Sequence, residues 1–419
     1  MFIAMKIAII TSGFLPVIDG VTVSGWNRIQ KLSEWGHQVL LFCPDYSAIA
    51  SIYPNWQDFT GNILPGVRVV NLKSTPFFVE FERNVAFYSY SKLQDELEKF
   101  KPDIIHVDEP ERLFVGFWRI AGKDYAKKHY IPCISFFRTN FLEYLEDFFP
   151  LPTALLNFLK YIVRKLILFV YNSYDLTLVT SKITEPKIKD IGIKNICYSN
   201  LLGFDSSKYN LQLRQTNFFK TNYNLPELDN KIKLVFLGRL TPDKGWSFTL
   251  KTFPKLFQTI DKNKIAILII GDGEMKTEIC QTISQFTPHF YCFGRVVPEE
   301  IPLLLVNSDF HVTTSEKETR GLTVLEAFAA NIPVLAPRAG GVVENIQDGI
   351  NGFLFTPQDQ DDFIHKLKIL VENQSLRQQM GIQGRKSVIG KYSWEQAVTN
   401  LLNIWEEQII RYQNIIVDG

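Results

Sequence analysis

Two carboxylates, Glu318 and Glu326, stand eight positions apart around Gly321 in the run Glu318-Thr319-Arg320-Gly321-Leu322-Thr323-Val324-Leu325-Glu326. A strand-like run, Asp309–Thr314, precedes them and a helix-like run, Leu322–Ala330, carries on from Gly321. A helix start presents unpaired backbone N–H groups and a partial positive charge, so such a junction is a natural phosphate seat. Gly321 lets a ligand approach the backbone closely. Glu318 then sits in the loop beside the ligand, and Glu326 lies about a turn into the helix, ~7 Å along its axis. Carboxylates so placed can hold hydroxyls on either side of a diphosphate, one on a sugar and one on a ribose. The pattern predicts a nucleotide-sugar site. Two solvated glutamates around an ordinary cap remain the alternative on these residues alone.

Other strand ends carry residues of the same kind. After the run Ile232–Leu237 come Gly238-Arg239-Leu240-Thr241-Pro242-Asp243-Lys244-Gly245. An arginine and a lysine beside a helix start suit a diphosphate, one as a bidentate fork and the other as a mobile point charge. A surface basic pair reads the same way. Gly271-Asp272-Gly273 is one more glycine turn after a strand-like run. Near the N-terminus, Lys6–Thr11 runs into Gly13-Phe14-Leu15-Pro16-Val17-Ile18-Asp19-Gly20-Val21 and then a helix through Leu32. Gly20 there either lets a ligand near the backbone or makes a plain turn. Asp359-Gln360-Asp361-Asp362 reads as the cap and start of a helix through Leu370 rather than as a metal site, and no metal is expected. His106 at a strand end is as consistent with a site as with a satisfied structural histidine.

These residues need a frame that places strand ends side by side. Apolar β-rich runs alternate with amphipathic segments: Lys6–Thr11, Gln38–Cys43, Val67–Leu72, Asp103–Val107, Cys133–Phe137 and Leu176–Thr180. After a polar stretch, Leu202–Asn230, read as a linker, the pattern restarts with Ile232–Leu237, Ile265–Gly271, Phe290–Phe293, Asp309–Thr314, Pro333–Ala336 and Phe353–Phe355. Near-continuous apolar strands between helices predict parallel sheets covered on both faces. The expected architecture is α/β, two doubly wound domains over residues 1–205 and 206–392, with the ligand cleft between them.

A chain of 419 residues suits two domains, and 46% apolar and 13% aromatic content suits packed cores. A net charge of +1 gives no support for nucleic-acid binding. Cys43, Cys133, Cys197, Cys280 and Cys292 are scattered and odd in number, which predicts buried thiols rather than a disulfide frame. The N-terminal run lacks a signal-peptide pattern and no run reaches transmembrane length, so the expectation is a cytoplasmic protein.

Taken in order, the pieces resemble the glycosyltransferase family 4 enzymes of GT-B architecture over nearly the whole chain. The matching residues are the Thr11–Gly20 loop, Lys101-Pro102-Asp103-Ile104-Ile105-His106, Gly238-Arg239 with Lys244-Gly245, Gly271-Asp272-Gly273, Glu318 with Glu326, Ala339-Gly340-Gly341, and Asn351-Gly352-Phe353. Within that family, Ser315–Gly341 looks most like the sulfoquinovosyl-diacylglycerol synthases and related lipid enzymes. The resemblance implies a retaining, metal-independent transferase that uses a nucleoside-diphosphate sugar as co-substrate, with uracil the expected base. It implies a donor site of Gly20, Gly238, Arg239, Lys244, Gly273, Glu318, Arg320, Gly321, Leu322 and Glu326. Catalysis would rest on Glu318, Arg239 and Lys244. A C-terminal helix within 393–419, around Trp394–Ile410, would cross back to the N-terminal domain.

Two positions depart from the pattern. Related sequences often carry Tyr-His-Thr-His where this chain reads Phe137-Arg138-Thr139-Asn140. Arg138 and Asn140, with His106, are therefore the expected sugar or acceptor contacts. Arg138 either favours an anionic sugar or pairs with a neighbour such as Glu143. Arg320, where a bulky apolar residue is usual, bears on donor selectivity. For the acceptor, Leu155–Tyr171 combines an apolar helix with Lys160, Arg164 and Lys165. An interfacial helix has those faces, and so has a buried helix with snorkelling bases. Phe77-Phe78 and Phe148-Phe149 are further apolar spots. The expectation is a lipid acceptor reached by peripheral contact with the inner face of a membrane. A soluble glycan or secondary-metabolite acceptor, or a nucleotide-sugar-binding protein without turnover, are the alternatives.

Overall fold

In the computed structural model, residues 4–77, 79–138 and 151–418 are described. The chain gathers into two compact units. One holds the N-terminal segment, Pro152–Gly203 and the stretch from Ser393 onward; the other holds Phe204–Tyr392.

The first unit is built on a sheet of β1 (Lys6–Thr11), β2 (Gln38–Pro44), β3 (Gly61–Leu64), β4 (Val67–Leu72), β7 (Ile104–Asp108), β8 (Cys133–Phe136), β9 (Leu176–Val179) and β10 (Ile196–Tyr198). Their spatial order is β10-β9-β8-β7-β1-β2-β4-β3, with only β3 antiparallel to its neighbour. A separate hairpin pairs β5 (Ser74–Phe77) with β6 (Val79–Val85). Along β1, Ile7 and Ile9 enter one apolar core while Ala8 and Ile10 enter another. That two-sided burial is why the strand reads as an unbroken apolar run. The helices used below are α1 (Gly20–Glu34), α2 (Tyr90–Phe100), α3 (Pro110–Phe117), α4 (Lys123–His129), α5 (Thr153–Tyr171) and α6 (Thr184–Ile191). The C-terminal helix, Trp394–Asp418, also belongs to this unit and buries Leu401, Leu402 and Trp405 against the first core.

The second sheet holds β11 (Ile232–Leu237), β12 (Ile265–Ile270), β13 (Phe290–Gly294), β14 (Phe310–Val312), β15 (Val334–Pro337) and β16 (Gly352–Phe355), all parallel. Its order, β13-β12-β11-β14-β15-β16, reverses direction between β11 and β14. That reversal is the switch point of a doubly wound fold, where strand ends part to leave room for a ligand. In the first sheet the corresponding point lies between β1 and β7. Helices of this unit are α7 (Phe218–Tyr223), α8 (Trp246–Thr259), α9 (Lys276–Ser284), α10 (Glu300–Val306), α11 (Leu322–Ala329), α12 (Gln360–Glu372) and α13 (Gln374–Val388).

Two expectations need correction. The stretch Leu202–Asn230 is not a loose linker: Phe204, Tyr209, Phe218 and Phe219 are buried, because aromatic residues spaced through its polar sequence pack it onto the second unit. The expectation of unpaired thiols holds for Cys43 and Cys133, which are buried, and for half-buried Cys197; Cys280 on α9 and Cys292 on β13 are instead joined as a disulfide.

Candidate active site

Residues singled out in the second half of the sequence converge at the β11/β14 switch point. Arg239 follows β11, and its Nη2 lies 3.2 Å from Asp243 Oδ2. Lys244 Nζ lies 3.5 Å from the same oxygen and 2.7 Å from Glu318 Oε1 in the loop after β14. Burial works to raise the Asp243 carboxyl, but Lys244 and Arg239 hold it below its ordinary value. Asp243 therefore acts as a buried anionic anchor that holds two cations at a strand end.

Gly321, with φ +69, caps α11 without a side chain, and Leu322 opens the helix. Its first amide groups have no acceptor within the helix, the condition the expected seat requires. The loops around it touch through backbone. Gly341 N donates to Glu318 O at 2.6 Å, and a Cβ at Gly340 would stand 2.7 Å from that same carbonyl oxygen. A Cβ at Gly271 would collide with the Gly238 carbonyl, one at Gly273 with that of Leu240, and one at Gly245 with that of Thr314. Below the seat, His311 on β14 donates from Nδ1 to Val235 O at 2.9 Å and accepts from Thr323 Oγ1 at 3.2 Å. Burial pushes His311 down to about 4 despite the opposing pull of that carbonyl and Glu318, so the imidazole is neutral and fixes the first turn of α11 to β11.

Glu326, one turn further, accepts from the Tyr209 hydroxyl at 3.0 Å. Desolvation pushes its carboxyl up to about 7, against the Tyr209 hydrogen bond. Sequence reasoning missed Tyr209, which comes from the stretch taken for a linker. Its carbonyl is tied to α13 by Arg385 Nη1 at 2.8 Å. Asp359, in turn, caps α12 by accepting from the amides of Asp361 and Asp362 at 3.0 Å.

Arg320 is corrected. Its side chain is only 9% exposed, paired with Glu344 and 3.4 Å from the Tyr392 hydroxyl. Adjacency to Gly321 in sequence does not leave the side chain free for a donor: the guanidinium is spent on Glu344 in the turn Gly340–Glu344.

The remaining candidates lie in the first unit. Gly20 is the first residue of α1, whose cap Asp19 accepts from the amides of Val21 and Thr22 at 2.8 Å. His106 is also corrected: it is fully buried on the inner face of β7 and does not line an open site. Its Nε2 donates to Asp108 Oδ1 at 3.1 Å and its Nδ1 accepts from the Trp405 indole N–H at 3.3 Å. Burial, then the Arg28 charge, lower it to about 4. The apolar strand around it was the available signal, since alternate residues of a two-sided buried strand all face a core. Arg138 packs over the Phe136 ring, donates from Nη2 to Ser24 Oγ at 2.6 Å and lies 3.7 Å from Asp108. Asn140 and Glu143, with Phe78, Phe148 and Phe149, lie outside the described residues.

A second polar cluster, not foreseen, occupies the first sheet's switch point. Glu109 follows β7 in a left-handed conformation, φ 51, and accepts from the Ser12 hydroxyl after β1. Two residues on, the Glu111 carboxyl accepts from Tyr171 Oη at 2.5 Å. Burial, reinforced by Glu109, pushes Glu111 up to about 8, so it is largely protonated at neutral pH.

Comparison with known proteins fits this geometry. Residues 18–197 match the family described as Glycosyltransferase Family 4, and residues 219–387 the one described as Glycosyl transferases group 1. The chain belongs to these glycosyltransferases, enzymes of GT-B fold that use nucleotide sugars. It is 27% identical over 388 residues to the sulfoquinovosyl transferase SQD2 of Arabidopsis thaliana, covering 90% of this chain and 68% of that protein. It is 26% identical over 413 residues to a GDP-mannose-dependent alpha-mannosyltransferase of Corynebacterium glutamicum, covering 98% and 91%. It is 23% identical over 355 residues to the alpha-monoglucosyldiacylglycerol synthase of Streptococcus pneumoniae, covering 84% and 75%. Among solved structures, Anabaena HepE in complex with UDP and glucose matches with TM-score 0.71 and 16% identity, covering 96% of this chain and all of that one, a likeness of fold alone.

Proposed function

We propose that the protein is a retaining glycosyltransferase that moves a hexosyl group from a UDP-sugar to the hydroxyl of a glycerolipid without a metal. The observation that carries the reading is the meeting of Arg239, Lys244 and Glu318 beside the Gly321 helix start, with Glu326 one turn below. Two cations and the helix amides neutralise the charge that develops on the departing diphosphate. The bond from the anomeric carbon to the phosphate oxygen breaks while the acceptor oxygen bonds to the same face. The acceptor proton passes to that phosphate oxygen, so the nucleoside diphosphate leaves protonated and no strong protein base is required. Glu318 holds the sugar hydroxyls and Glu326 the ribose.

The lipid acceptor is supported by α5. Phe158 and Tyr161 are 61% and 58% exposed, Leu155 and Ile162 are exposed too, and the helix carries three bases and no acid. Arg164 binds the carbonyls of Asp190 and Ile191 at the end of α6, and Lys165 lies over the Tyr161 ring. Among the described residues no helix is long and apolar enough to cross a membrane, so such contact would be peripheral. The name of the pneumococcal relative, an alpha-monoglucosyldiacylglycerol synthase, points the same way; that of the corynebacterial one leaves GDP-mannose as the donor to exclude.

The test is a grid of UDP- and GDP-sugars against diacylglycerol and soluble glycans, with products read by mass spectrometry and anomeric configuration by NMR. An α-linked glycolipid from a UDP-α-sugar, formed undiminished in chelator, is the expected outcome. A β-product, transfer only to soluble acceptors, or loss of activity in chelator overturns the corresponding part. Replacing Lys160, Arg164 and Lys165 by glutamine should release the protein from anionic vesicles while nucleotide binding stays intact.

A further inference from the structure

The carboxyl ends of the second sheet hold the proposed donor residues, but the described residues of this unit also border an open cavity of about 400 Å³ at the opposite, amino-terminal edge. Lys233 at the start of β11, Asp309 just before β14 and Asn331 just before β15 line it, with Arg214 and Arg377. A volume of that size is in the range that holds a small molecule.

The charges in it are unequally spent. Asp309 accepts from the Lys233 amide at 2.8 Å and lies 3.4 Å from Lys233 Nζ. The other acid in the lining, Asp229, takes the amides of Phe219 and Lys220 at 3.0 and 2.9 Å. Both carboxylates are therefore engaged. Arg214 donates from Nε to Val306 O at 3.0 Å and from Nη2 to Ser308 O at 3.1 Å, closing the end of α10. Arg377 donates from Nη1 to Leu370 O at 2.5 Å and Val371 O at 2.9 Å at the end of α12. Neither forms an ion pair among the described residues, although Arg377 is only 7% exposed. Buried guanidinium charge is costly unless an anion answers it; Asp309 acts on Arg377 but is shared with Lys233, so one divided carboxylate and helix-end carbonyls answer that charge only in part. Gln374 at the amino end of α13 lines the same cavity, and so do Gln215 and Gln378. Cations with amide groups are the chemistry that recognises a phosphate joined to hydroxyls.

The cavity also touches the parts that build the donor site. Asn331 follows α11, whose first turn is the proposed phosphate seat, and Asp309 stands just before the strand that leads to the Glu318 loop. Eight residues of helix span roughly 12 Å, so both ends of one rigid element report to different ligands.

We propose that this cavity is a second small-molecule site that takes a phosphorylated sugar or polyol and is coupled to nucleotide binding through α11 and β14. It lies outside the donor residues of the proposed transferase and rests on that reading only for its coupling to the nucleotide.

Calorimetry on the full chain tests it with glucose 6-phosphate, glycerol 3-phosphate and inorganic phosphate as probes. The first two separate a sugar phosphate from a lipid-headgroup source. Saturable binding of one organic phosphate is expected, tighter than that of inorganic phosphate, with Arg214→Gln weakening it about tenfold or more. Gln378→Trp, which fills the cavity from an exposed position and spares the helix-end bonds, should abolish it at an unchanged melting temperature. Saturating UDP should leave the probe bound, and the probe should shift the UDP dissociation constant by the same factor as UDP shifts its own. No saturable binding, displacement of the probe by UDP, or undiminished binding in Gln378→Trp overturns the site. An unshifted UDP constant overturns the coupling. No turnover is measured, so an inactive transferase and an empty cavity give separate results.

Discussion

Lys244 and Glu318, 74 residues apart in sequence, form an ion pair with Nζ 2.7 Å from Oε1 in the second unit. In the proposed mechanism the first serves the diphosphate and the second the sugar, so each is positioned by the other. Removing one leaves its partner's charge without its nearest counter-ion, and their effects cannot add. Lys244→Ala and Arg239→Ala should each weaken UDP binding by about 1.5–3 kcal/mol. The Lys244→Ala/Glu318→Ala pair should show a coupling of roughly 0.5–3 kcal/mol in a double-mutant cycle by calorimetry. Additive losses would mean that the pair does not share the ligand.

Glu326 and Glu318 should separate by assay. Glu326→Ala weakens free UDP, whereas Glu318→Ala chiefly lowers turnover of the full donor. Equal losses of UDP affinity in both would contradict the division of roles.

Glu326 also sets a pH dependence. Burial pushes its carboxyl up to about 7, and a ribose hydroxyl donates best to the ionised form. UDP binding should therefore tighten as pH rises from 6 to 8 and release protons, measured as a buffer-dependent heat. Glu326→Gln should bind more weakly and lose most of that slope. Tyr209→Phe, which removes the hydroxyl that helps hold Glu326 ionised, should move the midpoint upward.

Glu111 supplies an opposite test in the first unit. Its pKa is raised to about 8, above that of an unfolded glutamate, so the native state binds more protons between those values. Its contribution to stability is greatest at low pH and declines as pH rises towards 8. Buried, neutral His106 and His311, both lowered to about 4, act in the other direction, gaining as pH rises through their unfolded value. The difference in melting temperature between wild type and Glu111→Gln should therefore be more favourable to wild type at pH 5.5 than at pH 7.5. A constant difference would place the Glu111 pKa in the ordinary range.

Gly238 and Gly271 share a φ that would strain any other residue, +141 and +145, but not their surroundings. A Cβ at Gly238 meets nothing within 4 Å, whereas one at Gly271 meets the Gly238 carbonyl. Gly238→Ala should cost about 1–2 kcal/mol for backbone strain alone. Gly271→Ala should cost clearly more, read by denaturant unfolding, because backbone must move.

The sequence carried the parallel strands because their two buried faces leave no polar alternation to confuse the pattern. It did not carry β3, β5, β6 or β10, which lie at an edge or apart from the main sheets; no residue of β3, β5 or β10 is fully buried, so the apolar signal is missing there, and Pro76 removes a ladder donor from β5. Lys244 and Glu318 were readable as chemistry because charge and glycine coincide at strand ends. Their mutual pairing was not, since it depends on which strands are neighbours. Tyr209 had no local signal at all, and Glu109 owes its place to a left-handed backbone that only glycine or asparagine would have announced.

The glycine contacts behind the donor residues follow the sheet order: the loop after β12 abuts the one after β11 at Gly271, that loop abuts the one after β14 at Gly245, and the loop after β15 closes on it at Gly340. Four loops are thus keyed together by main chain, like wards in a lock cut to a common depth. Lengthening any one would unseat its neighbour, so natural variants of this scaffold should change donors by exchanging side chains over a loop length that hardly varies.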